Sequence, residues 1–259
     1  MPAVDQGLIV FEQGTFDEDE RLVFFDPATK EITPVPGGEF GYSARFSRDG
    51  SLLAWSRMVD AEEGTDGVMV HDLRTGETRK VADEGGCPSF APDGRSVVIS
   101  GAKRLDLETG RAEQLPGPGE GCRIELDDGR FVFTQYDETI QILDDDEVTT
   151  IYEAPGRGLT TASLSPDGKR LAFVQEVVSV DSPSVRVMVM GVDGSNPTSV
   201  ERGLAYGTGW SPDGTSIVTA DVDEGEDVRS LWIIDTERPS VTKVAAGPLN
   251  NPTWGPTFR

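Results

Sequence analysis

The chain has 259 residues, 36% hydrophobic and 27% charged, the balance of a globular chain with room for one large domain or two small ones. Its 30 Gly and 17 Pro exclude a helical bundle and favour short elements joined by turns. A net charge of -23 excludes a phosphate-backbone partner such as nucleic acid. One His and two Cys exclude three-His metal centres and disulfide-rich scaffolds.

Residues 7–37 carry three strand-like runs, Leu8-Ile-Val-Phe11, Arg21-Leu-Val-Phe-Phe-Asp26 and Glu31-Ile-Thr-Pro-Val35. They predict strands two, three and four of a sheet that lacks its first strand. At 41–83 comes the turn Phe46-Ser-Arg-Asp-Gly50, the apolar run Ser51-Leu-Leu-Ala-Trp55, and a second hairpin over 68–81. The unit at 86–116 repeats this with Phe90-Ala-Pro-Asp-Gly94, Ser96-Val-Val-Ile-Ser100 and a hairpin over 104–115. The unit at 120–152 holds a weaker copy, Leu126-Asp-Asp-Gly129, with Asp127 in place of Pro and Glu125 in place of the aromatic residue. Its register is open by one residue. The units at 160–201 and 206–246 carry Leu164-Ser-Pro-Asp-Gly168 and Trp210-Ser-Pro-Asp-Gly214. Finally Asn251-Pro-Thr-Trp-Gly-Pro256 has the form of a first strand, with Trp254 placed 44 residues after Trp210. Residues 250–258 are therefore expected to complete the sheet begun by 7–37.

The turn glycines at 50, 94, 129, 168 and 214 are 44, 35, 39 and 46 residues apart. A period near forty in an all-β pattern means propeller blades. Pro presets φ for the first turn position, Asp bonds its own backbone, and Gly supplies positive φ. The predicted fold is all-β: one domain over 1–259, a six-bladed β-propeller of four-stranded antiparallel blades, the first completed by the C-terminal strand.

These Ser-Pro-Asp-Gly repeats, each preceded by an aromatic residue or Leu, resemble those of the TolB-type six-bladed β-propeller family over nearly the whole chain. The Gly-His…Trp-Asp pairs of the WD type do not occur. The family's bacterial members place an α/β domain before the propeller. Nothing in these residues matches it, so the resemblance implies the propeller module alone. It implies a non-enzymatic module that binds a protein or peptide. The alternatives are a metal-dependent lactonase-like propeller enzyme and the gating propeller of a peptidase. No Gly-x-Ser-x-Gly elbow is present, and no catalytic residues stand out.

In such a propeller the loops between strands two and three lie on one face and the Pro-Asp-Gly turns on the other. The first set is acidic, with Asp17, Glu20, Asp60, Glu62, Glu63, Asp66, Asp137, Glu138, Asp223, Glu224 and Asp227. The turn side carries Arg48, Arg95, Lys169, Lys30, Arg74, Arg111 and Arg238. This predicts either a docking face steering a basic partner or a solvated coat. The carboxylates of 221–227 match no EF-hand spacing, so no cofactor is expected and Ca²⁺ would bind weakly at best.

The residue seven before each turn glycine is expected at the channel mouth: Ser43, Cys87, Cys122, Thr161 and Gly207, with Asn251 by alignment on Trp254. Cys87 and Cys122 occupy matching slots of neighbouring blades, giving either a disulfide or two small packing residues. Tyr42 and Tyr206 flank the completed first blade, and Glu39, Glu120, Arg123 and Arg157 lie in the linking loops nearby. Tyr42, Tyr206, Glu39, Arg123, Arg157 and Asn251 are the candidate residues for a ligand or partner. His71 is expected to pack at a strand end, and Trp55, Trp210, Trp232 and Trp254 between blades. A monomer without transmembrane segment is expected. The first residues have neither a basic n-region nor an apolar h-region, which reads as cytoplasmic. A mature exported domain whose leader has been removed is the second reading, and both stay open.

Overall fold

A computed structural model describes residues 7–15, 18–58, 66–117, 121–135, 138–154, 158–160, 162–177, 184–203, 206–222, 229–238, 240–247 and 249–256. The repeating turn dictates the architecture. In each copy the glycine N–H donates to the carbonyl three residues earlier, Gly50 to Ser47, Gly94 to Ala91, Gly129 to Leu126, Gly168 to Ser165 and Gly214 to Ser211, at 2.8–3.0 Å. The five glycines have φ between 65° and 87°, where a side chain is disfavoured. The motif serine adds a second lock. The hydroxyls of Ser47, Ser165 and Ser211 donate to Asp49, Asp167 and Asp213 at 2.6–2.7 Å. Each also accepts the backbone N–H five residues on, at 2.9 Å. The Ser165 hydroxyl, together with the Lys169 amide, holds the Asp167 carboxyl below the usual carboxylate range. Blade three has Ala91 in this position, and there Ser96 Oγ donates to Asp93 instead, at 3.1 Å.

Such turns fold neighbouring strands into antiparallel sheets. Blade one holds β1 (Leu8–Thr15), β2 (Glu18–Phe25) and β3 (Ile32–Glu39). Blade two holds β4 (Gly41–Phe46), β5 (Leu52–Met58), β6 (Asp66–Asp72) and β7 (Glu77–Ala82). Blade three holds β8 (Ser89–Phe90), β9 (Ser96–Ile99), β10 (Lys103–Asp106) and β11 (Ala112–Gln114). Blade four holds β12 (Cys122–Glu125), β13 (Phe131–Gln135), β14 (Thr139–Asp144) and β15 (Glu147–Glu153). Blade five holds β16 (Ser163–Leu164), β17 (Arg170–Val177), β18 (Ser184–Gly191) and β19 (Thr198–Gly203). Blade six holds β20 (Tyr206–Trp210), β21 (Ser216–Val222), β22 (Arg229–Asp235) and β23 (Val241–Gly247). The last strand, β24 (Leu249–Gly255), returns to blade one, whose order is β24-β1-β2-β3. The fold is thus an all-β six-bladed propeller whose first sheet joins the two ends of the chain. Ile9 pairs with Trp254 and Leu8 with Gly255, and the register slips between Val10 and Glu12.

The buried apolar side chains form six clusters, one in each gap between neighbouring blades. Ile9, Phe11 and Phe25 of blade one meet Val218, Leu231 and Ile233 of blade six in the gap that closes the ring. Trp254 belongs to that cluster, while Trp55 lies between blades one and two and Trp210 between five and six. Trp232 is only half-buried, with the Lys243 ammonium 5.7 Å from its ring centroid. His71 is buried, with Nδ1 at 2.8 Å from Thr78 Oγ1. Burial holds its pKa below the usual value.

Trp254→Ala should therefore cost about 3–5 kcal/mol, as a large core side chain does. Trp232→Ala should cost less than half of that. Urea melts of the two variants beside the parent check the ranking.

Candidate functional site

The inner strands β4, β8, β12, β16, β20 and β24 each form the first edge of a blade and surround an axial channel. The channel holds two larger cavities and a small one of about 20 Å³ lined by Ser43, Arg45, Cys87, Cys122 and Arg123, among others. The wide one, of about 320 Å³, is lined by Ser43, Thr134, Thr160, Thr208, Asn251 and Arg45, among others. The narrow one, of about 210 Å³, opens among the motif turns and is walled by Phe46, Phe90, Leu164, Trp210 and Trp254. Arg45 borders both cavities and so stands at the waist.

The mouth is built on left-handed backbone. Ser43, Cys87, Gly207 and Asn251 have φ of 54°, 50°, 68° and 42°. Three of them carry side chains, in a region that costs a non-glycine residue roughly 1–2 kcal/mol. In blade four the equivalent conformation falls on Gly121, φ 85°, one residue before Cys122. The offset is confined to that residue, because Cys122 lines the wide cavity beside Ser43 and Glu125 keeps the slot of Phe46 and Phe90. Cys87 and Cys122 are joined by a disulfide between blades three and four, with Cα atoms 5.2 Å apart.

Across the blade gaps, side chains on second strands take up amides of the next blade. Ser56 Oγ accepts from Cys87 N at 3.0 Å, and Thr134 Oγ1 from Ala162 N at 3.3 Å. In blade one this role falls to a carboxylate. Glu12, 4% exposed, accepts from Ser43 N through Oε1 and from Asn251 Nδ2 through Oε2, both at 2.9 Å. Glu12 thereby clasps β1, the closing strand β24 and blade two. Burial pushes its pKa up to about 7, against the two hydrogen bonds and Arg45, which pull it down. Arg45 is driven the other way: burial lowers its pKa, partly offset by the attraction of Glu12.

At the narrow end Glu125 fills the slot that holds Phe46, Phe90, Leu164 or Trp210 in other blades. It is 8% exposed and is gripped by both Nε and Nη2 of Arg104 from blade three, Nε at 3.1 Å. A buried carboxylate is tolerated there because a neighbouring blade supplies its counter-ion.

Of the candidate residues, Asn251 lines the wide cavity. Tyr42 is half-buried, with its hydroxyl beside Gly86. Tyr206 begins β20, and its side chain lies outside the described residues. Glu39 is exposed at the end of β3, opposite Arg21. Arg123 is buried between blades three and four, 1% exposed, with its guanidinium 5.8 Å from the Phe133 ring centroid. Its Nη1 donates to Pro116 O at 2.8 Å, whereas Nε and Nη2 have no partner. Arg157 and Thr161 lie outside the described residues, as do Asp60, Glu62, Glu63, Asp223, Glu224 and Asp227 of the acidic loops. Sequence spacing missed Glu12 and Arg45. Their signal was a charged residue inside a strand otherwise made of apolar and small residues. Among the described residues no group of three His, Cys, Asp or Glu is arranged to hold a metal, and no helix is long and apolar enough to cross a membrane.

No family model and no curated protein matches the chain. Solved structures match the fold. TolB from Acinetobacter baumannii superposes with a TM-score of 0.76 at 19% identity, over 97% of this chain and 67% of that one. The tricorn protease gives 0.61 at 16% identity, over 93% of this chain and 26% of the protease. An oligogalacturonate lyase in complex with manganese gives 0.53 at 19%, over 93% and 73%. The chain thus has the TolB-like propeller fold, and that fold also occurs in a lyase and a protease.

Two outcomes follow from this geometry. Folded Glu12 binds its proton more tightly than the unfolded chain, whose ordinary value is 4.5. Its ionisation therefore removes stability as pH rises from about 4.5 to 7, by at most about 1.4 kcal/mol per pH unit, and the loss is complete above that range. Glu12→Gln escapes this loss, so its melting temperature should gain on the parent between about pH 5 and 8 and not below. Melting scans of both proteins across pH measure the gap. The disulfide closes a loop of 35 residues, so its reduction should cost about 4 kcal/mol. Unfolded, unreduced protein should titrate no free thiol.

Proposed function

We propose that the chain is a non-enzymatic binding module that holds a peptide segment of a protein partner at the wide mouth of its axial channel. The observation that carries this is the 320 Å³ cavity itself. Its size suits a short peptide segment, and its lining offers hydroxyls, an amide and a guanidinium at fixed positions. Ser43, Arg45, Thr134, Thr208 and Asn251 of that lining sit on strands rather than on loops. The similarity to TolB adds an analogy of fold, not of partner. In this reading the chain needs no cofactor and works as a monomer. The acidic loops steer a basic partner to the same face by their field. The disulfide suits an oxidising compartment.

Thr160 lines the cavity wall, so Thr160→Trp should fill the mouth, at the loss of the hydrogen bond from Val174 N to Thr160 Oγ1. Capture of the partner from the native source should fall at least about tenfold with this variant, while the fold persists by circular dichroism. Capture that is indifferent to the plug would refute the reading. Steering by the acidic loops requires that capture weaken as salt rises. Metal analysis of the purified protein separates the enzymatic alternative, because one tightly held divalent ion per chain would favour a lactonase-like enzyme.

A further inference from the structure

We infer that the axial channel is a carboxylate-binding site, with the Arg45 guanidinium at its waist as the cation. The inference deepens the peptide-binding reading and rests on it.

Arg45 is the charged residue common to both cavities. Among the described residues its one hydrogen bond runs from Nη1 to the neighbouring Ala44 carbonyl, at 2.8 Å. Among the described residues the other donors of its planar fork make no hydrogen bond, and the residue lines both cavities. The nearest opposite charge does not occupy them. Glu12 attracts Arg45, but its two oxygens are engaged by Ser43 and Asn251. At the narrow end Glu125 is likewise committed, to Arg104.

The wide cavity has no carboxylate among its described lining residues. It does have hydroxyls with protons to give. Thr134 and Thr160 each accept a backbone N–H, from Ala162 at 3.3 Å and from Val174 at 2.9 Å, and among the described residues neither hydroxyl donates, which leaves its hydrogen for a ligand. A guanidinium fork with flanking hydroxyl donors matches the planar, singly charged carboxylate. A doubly charged phosphate is disfavoured by the nearby Glu12 and by the net charge of -23. The carboxylate has two sources, a free organic acid or the C-terminus of a peptide.

Isothermal titration at low salt with triglycine, triglycine amide and acetate tests this. Triglycine should bind, and the amide should bind at least about tenfold more weakly, having lost a charge-assisted pair. Arg45→Gln should remove the difference between acid and amide. If that variant does not fold, Arg45→Lys takes its place and should shrink the difference, since the ammonium keeps the charge without the fork. Glu12→Gln at pH 8 should tighten triglycine binding, because a competing negative charge is gone. Acetate that competes with triglycine identifies an organic acid as a sufficient ligand. Binding of triglycine alone identifies a peptide end. Equal binding of acid and amide overturns the inference but leaves the peptide-binding reading standing. Absence of all binding at millimolar probe overturns the inference, and partner capture then decides the broader reading separately.

Discussion

The pairing of β24 with β1 is the constraint on which the rest of the molecule depends. Without it blade one has three strands and a bare edge, and the gap between blades six and one has no Trp254 to fill it. With it, six apolar clusters close a ring, and each blade is held on both sides. The channel is a product of this closure. Its wall includes Asn251, Pro252, Thr253 and Trp254, all from the closing strand. The hydrogen bond from Asn251 to Glu12 joins residues 239 positions apart and couples closure to a titrating group.

Much of this was legible because the turn chemistry is local. Ser, Asp and Gly satisfy one another within a few residues, so the turn announces itself without knowledge of the fold. Counting those turns gave the blades, and the Trp210 to Trp254 spacing gave the closing strand. The mouth was less legible because it depends on side-chain direction. A strand alternates its faces, so one extra residue reverses every side chain after it. In blade four the left-handed position is Gly121 rather than Cys122, yet no reversal follows, because Glu125 keeps the slot of Phe46 and Phe90 and Cys122 lines the wide cavity beside Ser43. Arg123, expected in a linking loop beside the mouth, falls instead within β12, with its side chain between blades and over Phe133. The cysteines still meet, with Cα atoms 5.2 Å apart.

Glu12 and Arg45 were hidden for a different reason. Each is a single charge among residues that read as ordinary strand, and nothing in the sequence brings positions 12, 45 and 251 together. Their partnership arises only when blade one is completed and its second strand faces blade two. Burial then works against both charges in opposite directions, raising the acid and lowering the base. Two apolar residues would pack this spot with less penalty. Hydroxyls already do the same amide-capping work at Ser56 and Thr134, so a carboxylate at position 12 is more than capping requires.

That surplus bears on how an anion reaches the channel. The acidic chain repels a free anion at long range, so its field brings a carboxylate to the mouth only when a basic partner carries it. Recognition must come from the last few ångströms, where a weakly screened guanidinium meets a desolvated partner. Such a site discriminates by shape and by a single charge, because each added negative charge increases the repulsion from the acidic surroundings while the channel still offers one fork. The same surplus sets the charge of the waist. With Glu12 ionised, much of Arg45's field is spent within the protein; with Glu12 protonated, it is directed into the cavity. Because the pKa of Glu12 lies near 7, small changes of pH about neutrality exchange these two states, and the closing strand that carries Asn251 lies next to the group that changes charge.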